Sequence, residues 1–365
     1  MNIKNYPEQY ASVFAPVVFD ISGIQLDKYL EVDINIMHKG SDTPVGTKRF
    51  NNTPRMSVNI ASYAESCLAI TPLRTGNLQQ MPQRAVAMAL SANGITSEYR
   101  FVAAGRKVLP TEVLLSEWTQ RTISMGEVDE FSFIPPSGDV WVEIHCEDAA
   151  GKQYATRLAP FSAEEGVVSC VVNTRELASI IATESALDTE NLAKICYSVY
   201  YGADEVFAVN YKVVKPTGGV RLAWVNRYGM IDCYTFPTTT ERQTIVKRQA
   251  ERANGEKVVI PLDKAWEQVT ISSGLQPQKV VASLAEVLTS PKVWQWDGAA
   301  WSECIITNSA QTTHRADEPC AISLTIRPSK NIKINNIDSP TEVDWGGART
   351  TLPKVVERDG VSASM

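Results

Sequence analysis

The most constraining feature of this 365-residue chain is a run of strict alternation that occurs twice. The stretch LEVDINIM at 30–37 sets Leu30, Val32, Ile34 and Ile36 on one face and polar residues on the other. That is the period of a half-buried strand. VWVEIHC at 140–146 alternates in the same way. Each run leads through a polar loop (HKGSDTPVG, EDAAGK) to a short strand (47–50, 154–158), a further strand (55–60, 167–172) and a short helical segment (61–70, 174–181). Val32 pairs with Val142, Arg49 with Arg157 and Ile60 with Val172, at offsets of 110, 108 and 112. The pattern predicts two copies of one β-rich unit, each ending in a small helix, with Asn173 or Thr174 capping the second.

The chain divides accordingly. Residues 1–135 form a first β-sandwich-like unit, completed by strands at 97–104 and 130–135, and residues 136–219 form its repeat. Residues 220–328 form a C-terminal β-rich region with a helix at 280–289, and 329–365 an extended tail. The fold class is mainly β: two or three sandwich-like modules with short helices. Two stretches read ambiguously: 78–89 as helix or loop crossing, and 240–254 as polar strand or surface helix.

The C-terminal region opens on RLAWVNRYGMIDCYTF at 221–236, which reads as a β-hairpin. Leu222 and Trp224 share a face, Asn226-Arg-Tyr-Gly229 supplies the turn, and Ile231, Cys233 and Thr235 lie opposite Asp232, Tyr234 and Phe236. Aromatics on both faces predict burial on both sides, between domains or between subunits.

Charge and motifs narrow the chemistry. With 35 Lys and Arg against 41 Asp and Glu, the net charge is −6, which disfavours binding to a phosphate backbone. The seven cysteines include no CxxC and no two closer than 16 residues, so no structural zinc site is expected and the thiols read as buried hydrophobes in a reduced compartment. The polar N-terminus and the lack of a long apolar run predict a cytoplasmically made protein with no membrane span. HExxH, P-loop, GxGxxG and GxSxG patterns are missing, no cofactor is implied, and the three histidines read as solvated or structural. Glu127, Asp129 and Glu130 cluster in ISMGEVDEF; as a pair they suit a glycosidase, but loop acids of this kind read first as solubilising. Trp294, Trp296 and Trp301 fall in VWQWDGAAW, where a row of indoles is either a sugar-stacking surface or cover for a sheet or subunit contact.

The hairpin is similar to one of the form W-[VIL]-N-x-x-G-x-x-D-x-[YFW]-x-F in tail-region proteins of phages and prophages of Bacteroidetes. Trp224, Val225, Asn226, Gly229, Asp232, Tyr234 and Phe236 carry the match, with looser agreement at PVVFD (16–20) and LTSPKV (288–293). The resemblance implies a non-enzymatic virion protein of the tail, tail tip or baseplate. Such a protein is made in the bacterial host cytoplasm and assembles as a homo-oligomeric ring with other tail proteins. On that view Trp224, Asn226, Gly229, Asp232, Tyr234 and Phe236 form an interface. The alternative is a carbohydrate-binding module or adhesin using Trp294, Trp296 and Trp301.

Overall fold

The structure is a computed structural model that describes residues 2–23, 31–51, 55–109, 111–136, 138–185, 187–215, 218–247, 250–253, 256–259, 264–312, 318–328, 355–358 and 361–364. Strands dominate and the helices are few and short, so sheet packing sets the architecture. The first module holds β1 (Asn2–Asn5), β2 (Ala11–Ser12), β3 (Val18–Ser22), β4 (Glu31–His38), β5 (Gly46–Asn51), β6 (Arg55–Asn59) and helix α1 (Ala61–Cys67). β7 (Leu78–Gln80) leaves to join the second module, and β8 (Ala85–Ala92), β9 (Ile95–Thr96) and β10 (Arg100–Ala103) complete the first. Its small sheet runs β1-β3-β6 and its large sheet β2-β10-β8-β4-β5, with β9 beside β8. Val32, Ile34 and Ile36 of the alternating run turn inward onto Phe19, Ile21 and Val58, while Leu30 lies outside the described residues.

The second module repeats the order of the large sheet and the central pair of the small sheet, while its third small-sheet strand, β7, lies on the opposite side. It contains β11 (Gln120–Ser124), β12 (Val128–Phe133), β13 (Gly138–Asp148), β14 (Gln153–Arg157), β15 (Phe161–Ala163), β16 (Val168–Asn173), helix α2 (Thr174–Glu184), β17 (Leu192–Tyr201) and β18 (Asp204–Val214). The small sheet is β12-β16-β7 and the large sheet β11-β18-β17-β13-β14, with β15 on β13. In both modules a short strand runs parallel at the large-sheet edge, β2 on β10 and β11 on β18. Phe19 faces Val58 in the first small sheet, and Phe131 faces Cys170 in the second, each shifted by 112 residues. As expected, Asn173 caps α2, its Oδ1 accepting from the amides of Arg175 and Glu176.

Two sequence readings change here. The strand read at 130–135 as completing the first unit is β12, which pairs with β16 of the second, and β11, inside the same expected bounds, pairs with β18. Strand patterning fixes which face is buried, not which strand lies alongside. The stretch 78–89, read as helix or loop crossing, is β7 and the start of β8 joined by a turn at 82–84; β8 buries Val86, Met88 and Leu90 on one face and Ala85, Ala87 and Ala89 on the other. A strand covered on both faces carries no polar alternation to reveal it.

The third module is a seven-stranded sheet, ordered β20-β19-β25-β26-β27-β24-β21. Its strands are β19 (Val220–Val225), β20 (Ile231–Phe236), β21 (Thr238–Lys247), β24 (Lys264–Ser272), β25 (Val293–Trp296), β26 (Trp301–Thr312) and β27 (Ala321–Pro328). The ambiguous stretch from 240 is thus strand as far as Lys247. Helices α3 (Gln278–Leu284) and α4 (Glu286–Thr289) bring Val281, Leu284 and Val287 onto Leu222, Trp224 and Phe236. These modules make up one unit, residues 1–242 and 269–327. A separate unit, 243–268 and 328–365, contains hairpins β22 (Ala250–Ala253) with β23 (Glu256–Val259) and β28 (Val355–Arg358) with β29 (Val361–Ser364). The extended tail expected from 329 therefore includes a hairpin, and residues 329–354 lie outside the described ones.

Candidate functional site

The hairpin forms in the register its alternation implies, Leu222 opposite Tyr234 and Trp224 opposite Asp232. Its turn is closed by Asn226, whose Oδ1 accepts from the amides of Tyr228 (2.9 Å) and Met230 (3.0 Å). Gly229 adopts φ +77°, and a Cβ there would lie 2.6 Å from the Gly105 nitrogen. A Cβ on Gly105 would in turn strike the Tyr228 carbonyl carbon, so two glycines let the turn lie directly on the chain leaving β10. Arg106 N–H donates to the Arg227 carbonyl at 2.6 Å across this contact. At the turn's rim, Arg227 Nε pairs with Glu286 at 2.5 Å and its Nη1 with Glu117 at 2.7 Å.

Behind the turn lies a seam of buried charge that sequence reasoning missed. β20, at the edge of its sheet, is covered by β11 and β12. Asp232 Oδ1 accepts from Ser116 Oγ (2.8 Å) and Arg121 Nη2 (2.9 Å), and its Oδ2 from Asn226 Nδ2 (3.0 Å). Arg121 Nη1 donates to Asp129 Oδ1 at 2.9 Å, and Arg221 Nη2 to Asp129 Oδ2 at 3.0 Å. Arg221 also binds Glu127 (3.2 Å) and Thr235 (2.9 Å). One residue on, Glu130 pairs with Arg84 at 2.5 Å, and Arg84 Nη1 reaches Ser132 Oγ and Ser169 Oγ at 3.1 and 3.0 Å. Arg84 comes from the first module, Arg121, Asp129 and Glu130 from the second, and Arg221 and Asp232 from the third. Asp129 and Glu130 project from opposite faces of β12, so two adjacent clusters, one reaching the first module and one the third, meet on that strand.

Its electrostatics are those of a dry interior. Side-chain exposures in the Arg84, Arg121, Asp129, Glu130 and Asp232 pairs are 0–4%. Burial pushes the Asp129 and Glu130 carboxyls up, and the guanidinium groups beside them oppose that shift. For Arg121 and Arg221 the neighbouring carboxylates win over desolvation, so both stay cationic. Removing one partner from such a pair leaves an uncompensated buried charge, at a cost of about 3–5 kcal/mol. The loop acids of ISMGEVDEF are thus not solubilising surface: Asp129 and Glu130 sit at the centre of the seam, and no solute touches them. An Arg or Asp in an otherwise apolar strand was the available signal, but its partners lie up to 116 residues away.

The residues nominated from sequence fall into two places. Trp224, Asn226, Asp232, Tyr234 and Phe236 are all buried within this chain. The hairpin packs between modules of one polypeptide. The Trp row is not flat. Trp294 is buried against Ala223, Val225 and Cys233, and Trp301 Nε1 donates to the Leu73 carbonyl at 3.0 Å. Trp296 tilts 54° to Trp301 and lines a groove of about 270 Å³ with Arg74, Thr75, Asn173 and Arg175. Among the described residues, no three His, Cys, Asp or Glu are grouped to hold a metal ion, and no helix is long and apolar enough to cross a membrane. Set against known proteins, the chain matches no family model and no curated sequence.

Proposed function

We propose that this chain is a structural subunit of a phage tail, tail-tip or baseplate-type assembly. It associates with copies of itself as a ring, joins neighbouring tail components and performs no bond chemistry of its own. The observation that carries this reading is the seam: its carboxylates and guanidinium groups are spent on one another, welding three sheet modules into a stiff body. A subunit that transmits load between neighbours needs that rigidity. The hairpin's resemblance to tail-region proteins supports the same reading, because Asn226, Gly229 and Asp232 are the residues that build and seat the turn. Light scattering and electron microscopy of the purified protein test it: rings or higher oligomers are expected. A chain that stays monomeric at high concentration and is missing from purified particles overturns it.

One observation favours a second reading, glycan binding. Trp296 and two arginines line one groove, a combination suited to a sugar ring and an acidic substituent. Glycan-array binding that disappears in Trp296→Ala supports it, and an empty array removes it.

A further inference from the structure

The contact between the two sandwiches contains a template for contact between chains. The outer face of the first large sheet is buried: Ala85, Ala87, Phe101 and Ala103 pack with Val167, Leu115, Tyr228 and Met230. The polar half of this contact comes from the outer face of the second small sheet, where Glu130, Ser132 and Ser169 receive Arg84. Large-sheet face thus meets small-sheet face. Each kind of face has a counterpart that carries exposed residues: the small sheet of the first module (Arg55, Ser57, Asn59) and the large sheet of the second (His145, Lys194, Lys212).

The two remaining faces are matched in position. The 112-residue shift that superposes Phe19 on Phe131 and Val58 on Cys170 places Asp20 and Ser57 where Ser132 and Ser169 stand. Asp20 accepts from Ser57 Oγ (2.5 Å) and Asn5 Nδ2 (2.9 Å) within its own sheet, which orients an anion at the centre of that face. The opposite face has a floor of small side chains, Cys196, Ser198 and Ala208. At its border Arg157 lies 3.6 Å over the Trp141 ring, and Trp141 stacks on Tyr200 at 3.9 Å and 2°. Exposed Lys212 stands on this face too, together with Glu143, Glu147 paired with Lys194, and Glu205 accepting from the Tyr200 hydroxyl. Trp, Tyr and Arg around a flat floor are the composition of an energetic hot spot.

We propose that the small-sheet face around Asp20 and Ser57 docks on the large-sheet face around Cys196 and Ala208 of a second copy, repeating between chains the stacking made within one. The two faces differ, so the contact is head-to-tail and propagates into a closed ring or an open filament. This rests on the self-assembly reading above and names its surface.

The test uses Ser57→Cys in the full chain carrying Cys67→Ser, treated with a short bis-maleimide at concentrations where light scattering reports oligomers. A ladder of dimer, trimer and higher species is expected, and it disappears when Cys196→Ser is added. Asp20→Arg, which removes the anion at the centre of the small-sheet face, is expected to weaken association by about tenfold or more at a temperature where far-ultraviolet dichroism shows the variant still folded. Oligomers without a 57–196 cross-link, or cross-linking that stops at a Cys196–Cys196 dimer, overturn this surface while leaving self-assembly standing. A chain monomeric at every concentration overturns both.

Discussion

Asp129 receives two guanidinium groups from two different modules, and its removal is felt by both. Asp129→Ala is expected to cost about 3–5 kcal/mol in denaturant-midpoint measurements, because Arg121 and Arg221 are left charged and buried. Ser116→Ala, which removes one hydroxyl from the Asp232 cluster, should cost about 1–3 kcal/mol. The thiols give a second residue-scale check. Burial pushes Cys146 and Cys304 up to about 12, and Cys170 and Cys233 are also raised by desolvation. Thiolate is the reactive form, so at pH 8 a disulfide reagent should titrate half-buried Cys67 well before these four, with Cys196, half-buried but also raised by burial, in between. Rapid native-state labelling of Cys170 or Cys233 would contradict the packing. The seam was illegible in the sequence for a reason these residues show: Arg121 and Asp232 are each unremarkable alone, and only the fold brings them to 2.9 Å.

At the scale of elements, glycines and caps decide the joints. Gly229→Ala meets both a positive φ and the backbone of Gly105, so a loss larger than the roughly 1 kcal/mol of an ordinary glycine replacement is expected in equilibrium unfolding. Asn173→Ala removes the acceptor for two amides at the start of α2 and should cost about 0.5–2 kcal/mol. Acid acts on the small sheet of the first sandwich. Hydrogen bonds from Ser57 and Asn5 hold the Asp20 carboxyl below its ordinary range. Its stabilising contribution is therefore present above the unfolded-state pKa and is lost as pH falls through the lower folded value. Asp20→Asn should flatten that acid limb, seen by hydrogen exchange of β3 and β6. Elements with strict alternation, such as β4 and β13, were readable because one face is wet. β8, with alanines against a neighbouring module, was not.

Across the molecule, the seam predicts cooperation. Arg84, Asp129 and Asp232 tie three modules together, so tryptophan emission dominated by the third module and far-ultraviolet dichroism dominated by the sandwiches should report one coincident transition for residues 1–242 and 269–327. Arg84→Met, which unties the first module, should separate them. The duplication was legible in the sequence because inward Val32 and Val142, and Ile60 and Val172, keep similar spacing in both copies. Which strands complete each sandwich was not, because partner choice depends on contacts between residues far apart in sequence.

The alanine face of β8 also has a history during synthesis. Ala85 and Ala87 leave the ribosome long before Tyr228 and Met230, the side chains that finally cover them. At ordinary ribosomal elongation rates the roughly 140 intervening residues take about 7–28 s to make. For that interval the nascent chain carries a bare greasy strip beside an unneutralised arginine. An early-emerging module of this kind is a natural client for a holding chaperone until the hairpin arrives to close it.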